Sequence, residues 1–566
     1  MVAERIQRVE LPSQAERPEL GPISSIMGEI TFIALTSDDL PSMELRRLAE
    51  SVVRRSLLAV SGISQVIPLG GEVRQLQVTA RPSALAQYGV ALSQLQAAVE
   101  ASSRSPAAGF HVDGGQEYLV RGLGRARDGR DVESAVVTVR DGVPLRVGDL
   151  ADVRWGAEPA RGIASYRGRP AVILSVQKQP DANTLEVTAK IDDVLARLAA
   201  SLPEGVVIEK ENFRQADFIT VAIGNVTEAL RDGAILVVLV LLLFLGNLRS
   251  TFISALAIPL SLVTAVVVLE ALGQTINTMT LGGLTIAIGL LVDDAIIAVE
   301  NIYRRLRERG DGQSPEQIVA DATSEVVSPI LFATLIIVLV FLPLFFLPGF
   351  EGRLLRPLGV AFIASLGASL VVALTVTPVL SKLLLARAGT SEAREPRMLR
   401  ALRGLYAPLL EWCFRHRRPV LASTLLMVLG AAALIPGLGR SFLPTFNEGS
   451  LTVSAVSPPG IPLAESDRLG GEVERALLAF PEVLSTSRRT GRAEKDEHVQ
   501  GVNASEMEVV LRPLDGARGK DELIAGMRDA VATIPGVSVS FGQPISHRID
   551  HMISGSKTNL AVKIFG

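Results

Sequence analysis

Two textures alternate along the chain. Between residues 23 and 206, short runs alternate apolar and polar positions every second residue, and these are broken by runs of 3.6-residue period, so strands are mixed with helices. Residues 30–35 predict a strand, 45–60 a helix, SGISQVIPLGG and VRQLQVTA two strands around a Gly-Gly turn, and 82–101 a helix. The Ser-, Pro- and Gly-bearing stretch 102–115 predicts a loop. Strands are expected at 117–121, 136–139 and 171–177, and a helix at 183–199. The same texture returns late in the chain, with helices over 464–478 and 521–532 and strands in PEVLSTSRR, over 505–511 and in GVSVSF. A helix that runs through a short turn into a strand recurs at VSGIS, FPEVL and IPGVS, which points to duplicated modules.

Between these parts the pattern changes to long apolar runs. Residues 250–269, 326–350, 357–381 and 419–439 carry no charge, and each is long enough to cross a bilayer core, which takes ~20 helical residues. Residues 233–248 form a shorter run whose helical pattern begins near Phe213, and 281–305 is an apolar run with acidic residues inside it, giving six expected spans. Arginine placement orients them. The links after the third and fifth spans are rich in Arg and Lys, from Arg304 to Arg309 and from Lys382 to Arg418, whereas the links after the second and fourth hold few. The positive-inside rule puts the basic links in the cytoplasm and both mixed modules on the opposite face. Residues 398–418 set Leu399, Leu402, Leu405, Leu409 and Leu410 among basic residues, an amphipathic connector suited to the membrane surface.

Composition agrees with this reading and narrows it. The 566 residues are 48% hydrophobic but only 4% aromatic, and mean hydropathy is +0.36, as in a membrane protein with soluble parts. Lys and Arg number 56 against 59 Asp and Glu, a net of −3, so no basic field calls for nucleic acid. The single cysteine, Cys413, excludes an internal disulfide framework and a Cys-based zinc site. No GxxxxGK[ST] loop is present, which argues against an ATP-driven pump. The first residues carry scattered charges without an apolar signal core, so an upstream start is expected.

The candidate chemistry lies in LGGLTIAIGLLVDDAIIAVENIYRR, where Asp293, Asp294 and Glu300 interrupt an apolar helix. An ionised, unpaired carboxylate at that depth costs several kcal/mol, so a functional role is the default reading and a proton site the most direct one. Helical geometry puts Asp293 and Glu300 on nearly one face, with Asp294 roughly 100° round from Asp293. A structural pair neutralised by a basic residue is the plainer alternative, and no other span supplies such a residue. For Glu300, an ion pair with Arg304 one turn on stands beside a relay role. Gly282, Gly283 and Gly289 allow close helix packing, and Pro259, Pro329, Pro343 and Pro378 are expected to interrupt spans. An intramembrane aspartyl protease is disfavoured, because that chemistry needs aspartates facing each other. Candidate ligands for a divalent cation are His498, His547, Asp550 and His551, all in polar loops.

GGLTIAIGLLVDDAIIAVENIYRR closely resembles the fourth transmembrane helix of resistance-nodulation-division (RND) efflux permeases. FLPTFNEGSLTVSAVSPPG, SRRTGRAEKDEH and PISHRIDHMISG resemble the second periplasmic segment of its heavy-metal-efflux branch, typified by cobalt-zinc-cadmium pumps. The resemblance covers essentially the whole chain. It implies a polytopic α-helical membrane protein with α+β periplasmic porter subdomains, in the bacterial inner membrane, that works as a homotrimer with a membrane-fusion adaptor and an outer-membrane channel. No cofactor is implied: export of divalent cations would run on the proton motive force, not on enzymatic turnover.

Asp293 and Asp294 take the positions of the family's proton-binding aspartates, and Glu300 that of the metal branch's glutamate. The family's tenth-helix lysine has no counterpart in this sequence, which looks like part of a twelve-span protein. The three porter methionines of copper and silver pumps fall on Ser454, Ala504 and His551, which disfavours Cu(I). The double aspartate resembles the multidrug branch, so efflux of organic compounds stays as an alternative, as does a non-transporting scaffold. The expected organisation is a porter module over 1–212, five spans over 213–386, the connector over 387–418, a sixth span over 419–439 and a second porter module over 440–566.

Overall fold

The computed structural model describes residues 28–105, 107–121, 124–308, 314–385, 397–437, 448–492, 501–512, 518–545, Arg548, and Arg5, Ile6 and Val9 near the start. It divides into two compact units, one of residues 1–216 with 446–566 and the other of 217–445.

The first unit contains the same arrangement twice. Strands β1 (Glu29–Ser37), β2 (Ile63–Leu69), β3 (Val172–Lys178) and β4 (Val206–Glu209) make an antiparallel sheet in the order β4-β1-β3-β2. Helices join β1 to β2 (residues 42–58) and β3 to β4 (Thr184–Ala199) on one face of it. Strands β5 (Ser450–Val456), β6 (Val483–Gly491), β7 (Ala504–Leu511) and β8 (Ser538–Gly542) repeat the order as β8-β5-β7-β6, with helices Leu463–Leu478 and Lys520–Ala532 as the joins. Each copy is therefore a β-α-β-β-α-β unit of the ferredoxin-like kind, the duplication that the recurrent helix-turn-strand pattern implied. Strand periodicity explains the cores: Ile33, Leu35, Val172, Leu174 and Val176 meet Leu57, Ile191 and Leu195 under the helices of the first copy, and Leu451, Val453, Met507 and Val509 meet Val473, Leu477 and Met527 in the second. Strand Gly162–Tyr166 pairs with β6 and so extends the second sheet with a piece of the first half of the chain.

Local reading of the sequence erred in three places here. The expected hairpin around Gly70 and Gly71 does not form: β2 pairs with β3, whereas Arg74–Ala80 pairs with Ala151–Ala157 in a separate two-stranded sheet. Both glycines have positive φ, and a Cβ on Gly70 would come within 2.4 Å of the Ala171 carbonyl oxygen, so the pair turns the chain away from the sheet. The expected helix over 82–101 is two, Pro82–Tyr88 and Leu92–Ser102, because Gly89 ends the first in a left-handed cap. Within the expected loop over 102–115, Ala107–Asp113 is a strand, paired with Gln116–Arg121.

The second unit is helical: α1 (Gln215–Leu245), α2 (Leu248–Ala271), α3 (Thr278–Arg307), α4 (Pro315–Phe341), α5 (Gly349–Leu385), α6 (Arg397–Arg415) and α7 (Arg417–Leu434). Five described segments, matching α2, α3, α4 with its 3-10 extension, α5 and α7, are long and apolar enough to cross a membrane. The sixth expected span, 233–248, is not among these five: through Leu245 it is the end of α1, the long helix expected from near Phe213, and Glu228, Arg231 and Asp232 charge the turns that lead into it. Helices α2, α4 and α5 continue through Pro259, Pro329 and Pro378, whereas Pro343 falls in the 3-10 turn Leu342–Phe346. Helix α6 is amphipathic, and its Leu405, Leu409 and Trp412 are exposed.

Candidate functional site

Helix α3 is well specified at both ends. The Asn277 side chain accepts from the Met279 and Thr280 amides at 3.0 Å, while the Asn277 amide donates to Thr280 Oγ1 at 2.8 Å, a reciprocal N-terminal cap. Arg304, Arg305 and Arg307 occupy its last turn, where positive charge suits the helix dipole. Helix α3 packs closely on α5 at Gly283, where an added Cβ would lie 2.5 Å from the Leu358 carbonyl oxygen and 3.0 Å from Ala361 Cβ. Gly282 has only Leu358 Cδ1 nearby, and a Cβ on Gly289 would meet nothing within 4 Å, so Gly283 alone of the three is required for close approach.

Asp294 is half-buried on the α5 side of α3, and Ser369 Oγ donates to its Oδ2 at 3.2 Å and to the Leu291 carbonyl oxygen at 3.1 Å. Asp293 and Glu300 are both exposed on the helix surface, on the one face that their seven-residue separation predicts. No ion pair to Asp293, Asp294 or Glu300 exists among the described residues. Arg304, the alternative partner of Glu300, donates instead to Asn301 Oδ1 at 2.7 Å. Asn301 in turn donates to the Ala322 carbonyl at 2.8 Å and to Glu325 Oε2 at 3.0 Å, and Arg305 pairs with Glu325, fastening the basic end of α3 to α4. Lys382 at the end of α5 pairs with Glu316 on α4. Asp294 thus sits among small and apolar side chains where α3 meets α5, with one hydroxyl on its carboxylate and, among the described residues, no cation paired with it. Such a group can bind and release a proton with little competing interaction.

His498, His547, Asp550 and His551 lie outside the described residues. Among the described residues no cluster of three His, Cys, Asp or Glu side chains could hold a metal ion. Ser454 stands opposite Glu506 in the β5–β7 register, and Ala504 opposite Val456.

Sequence reasoning missed a buried charge network in the first unit. Strand alternation sends the adjacent Arg488 and Arg489 of β6 to opposite faces of the sheet. Arg488 turns toward helix Leu463–Leu478, donating to Glu474 Oε2 at 3.0 Å and Asp467 Oδ1 at 2.6 Å. Arg489 reaches Glu506 at 2.9 Å and Glu29 at 3.3 Å and stacks 4.2 Å over the Phe32 ring. Arg548 donates to Glu29 Oε2 at 2.7 Å and lies 4.4 Å over Phe213. Beside them Glu508, 2% exposed, accepts from the Thr452 hydroxyl at 2.9 Å. Burial pushes the Glu508 carboxyl up to about 8, with Glu506 adding to the rise and Arg548 and Arg489 opposing it. The only signal in sequence was an Arg-Arg pair inside a strand pattern.

A duplicated ferredoxin-like unit, combined with an apolar bundle whose helix carries paired aspartates, is the architecture of an RND transporter. The model of the AcrB/AcrD/AcrF family matches residues 1–566, and the chain belongs to that family. It is 31% identical to the nickel-cobalt-cadmium resistance protein NccA of Alcaligenes xylosoxydans xylosoxydans, with 100% of this chain and 56% of the relative aligned. It is 30% identical to the cobalt-zinc-cadmium resistance protein CzcA of Cupriavidus metallidurans, with 100% of this chain and 55% of the relative aligned. The crystal structure of a heavy metal efflux pump superposes with a TM-score of 0.85 at 27% identity, covering 99% of this chain and 54% of that one. The chain spans about half the length of these relatives.

Proposed function

We propose that this chain is the part of a heavy-metal efflux permease that carries its acidic proton-coupling helix. Relatives named for nickel, cobalt, cadmium and zinc resistance align over its whole length, and Asp294 meets Ser369 with no ion pair to it among the described residues. The second observation carries the mechanism. Asp294, with Asp293 and Glu300 on the neighbouring face of α3, takes up a proton from one side of the membrane and gives it up on the other. A proton moving down a membrane potential releases ~2.3 kcal/mol per 100 mV. That energy drives a conformational cycle that exports a divalent cation.

In this reading α2 to α5 and α7 cross the inner membrane, with α1 as a further helix entering it. The arginine-rich ends are cytoplasmic, α6 lies along the lipid surface, and the first unit is periplasmic. The assembled pump is a homotrimer with a membrane-fusion adaptor and an outer-membrane channel, and His498, His547, Asp550 and His551 contribute to cation recognition. Zinc, cobalt and cadmium tolerance of a metal-sensitive bacterium expressing the full-length gene product tests this. Tolerance should rise with the wild type and return to the control level with Asp294→Asn. Protection against organic toxicants without any metal tolerance would move the assignment to the multidrug branch.

A further inference from the structure

A hydroxyl inside an apolar bundle usually satisfies itself by donating to the carbonyl four residues back on its own helix. Thr264, Thr285, Ser365 and Thr375 do so, to Leu260, Leu281, Ala361 and Val371. Six others do not. Among the described residues, the hydroxyl oxygens of Ser250, Thr251, Ser254 and Ser261 on α2, and of Thr377 and Ser381 on α5, are buried without a hydrogen-bond partner. None of the six residues is more than 4% exposed.

Their positions are not scattered. On α2, Ser250, Ser254 and Ser261 fall within ~40° of one another about the helix axis, and on α5 Thr377 and Ser381 continue a four-residue step that starts at Ser369 and Ala373. Packing sets their heights. Leu262, next to Ser261, touches the cluster of Ile288 and Leu291, in the turn of α3 just before the aspartates. One turn on, Ala257 packs with Ala295 and Val372, and further on Ile253 packs with Val299 and Leu385. All but Thr251 therefore follow the seam where α2, α3 and α5 meet, from Ser369, which holds Asp294, to the arginine-rich end of the bundle near Arg249 and Lys382. Apolar side chains would fill such a seam at lower cost, since each unpartnered hydroxyl has lost its hydrogen bonds to water. Bridging waters would restore those bonds.

We propose that this seam is a hydrated file through which a proton released by Asp294 reaches the arginine-rich end of the helices. The inference rests on the proton-coupling reading above and names its exit route. The proton passes from the Asp294 carboxyl to the first water. Each oxygen along the file then accepts one proton and gives up another, so Ser254, Thr377 and Ser381 end unchanged and Asp294 is left ionised.

Two experiments on the full-length protein in proteoliposomes test it. With Cys413 and any other cysteine replaced by serine, Ser254→Cys and Thr377→Cys should react with 2-aminoethyl methanethiosulfonate applied from the arginine-rich side. The rate should be at least tenfold that of Ala265→Cys, a buried apolar position on the same helix. Equal rates at all three sites would overturn the file. The near-isosteric combination Ser254→Ala, Thr377→Val and Ser381→Ala should slow ΔpH-driven cation transport at least tenfold while leaving equilibrium cation binding unchanged; transport at the wild-type rate would overturn the proposal. Asp294→Asn separates the two readings. If it transports normally, proton coupling at Asp294 is wrong; if it is inactive while the triple variant is normal, only the file is wrong. Thiol reactivity needs no transport, so it decides even where a variant is inactive.

Discussion

The Ser369 hydroxyl on α5 is shared between two acceptors on α3, the Leu291 carbonyl oxygen at 3.1 Å and the Asp294 carboxylate at 3.2 Å. In the proposed proton cycle, protonation of Asp294 would therefore be felt on α5 through this one side chain. An ionised carboxylate competes strongly for the hydroxyl, and a neutral one leaves it to the backbone.

This makes Ser369→Ala a graded lesion. Losing a hydrogen bond to a charged group costs ~1.5–3 kcal/mol, about tenfold or more in rate if the bond matters to the cycle. Transport into proteoliposomes should fall by about that factor in Ser369→Ala, recover in Ser369→Thr, and vanish in Asp294→Asn. Wild-type transport by Ser369→Ala would show that the contact is incidental.

Close approach of α3 and α5 gives a stability prediction. Gly283→Ala drives a methyl to within 2.5 Å of the Leu358 carbonyl oxygen, an overpacking that typically costs ~1–3 kcal/mol. Gly289→Ala meets nothing within 4 Å and removes a flexible residue from mid-helix, a gain of ~0.5–1 kcal/mol. Thermal unfolding of the detergent-solubilised protein should therefore show Tm lowered by the first and held or raised by the second.

The aspartate helix was legible because carboxylates inside an apolar run are costly, and nothing else in the pattern resembles them. Faces were legible too: Met507 and Val509, in the strand expected over 505–511, are buried where strand alternation puts them. Partners were not. The run VRQLQVTA looked continuous with β2 across two glycines, but its mate Ala151–Ala157 lies far along the chain, and hydrophobic pattern shows which side of a strand is dry, not which strand lies beside it. The strand Ala107–Asp113 was hidden because the Ser, Pro and Gly residues of 102–115 point to a loop and outweigh the short alternation of Phe110 and Val112, both of which are exposed. Ser369 looked like any serine in an apolar helix until α5 was laid against Asp294.

Arg488 makes the cost of a buried charge measurable. Glu474, 0% exposed, accepts from Arg488 at 3.0 Å, Thr486 at 2.8 Å, Ser165 at 2.6 Å and the Gly168 amide at 3.1 Å. Arg488→Met leaves that carboxylate buried without its cation, a loss of ~3–5 kcal/mol. Glu474→Gln keeps an acceptor for part of the network and should cost less. Adding Glu474→Gln to Arg488→Met should recover part of the lost Tm, because it removes the stranded charge; an additive loss would place the energy in packing instead.

Glu508 gives the first unit a pH dependence of defined sign. Its carboxyl is held near 8 in the folded protein by burial, against an unfolded carboxylate near ~4.3. The folded state therefore binds the extra proton. The stability Glu508 contributes is fully present below the unfolded value, declines as pH rises from ~4.3, and is lost once pH passes about 8. Glu508→Gln, which mimics the protonated form and can still bond to Thr452, removes this slope. The difference in Tm between Glu508→Gln and wild type should thus be small near pH 5, grow in favour of the variant through neutral pH, and level off above about 8. The comparison cancels every other titrating group that the two proteins share. A difference that stays flat from pH 5 to pH 9 would mean that Arg548 and Arg489 hold Glu508 ionised throughout.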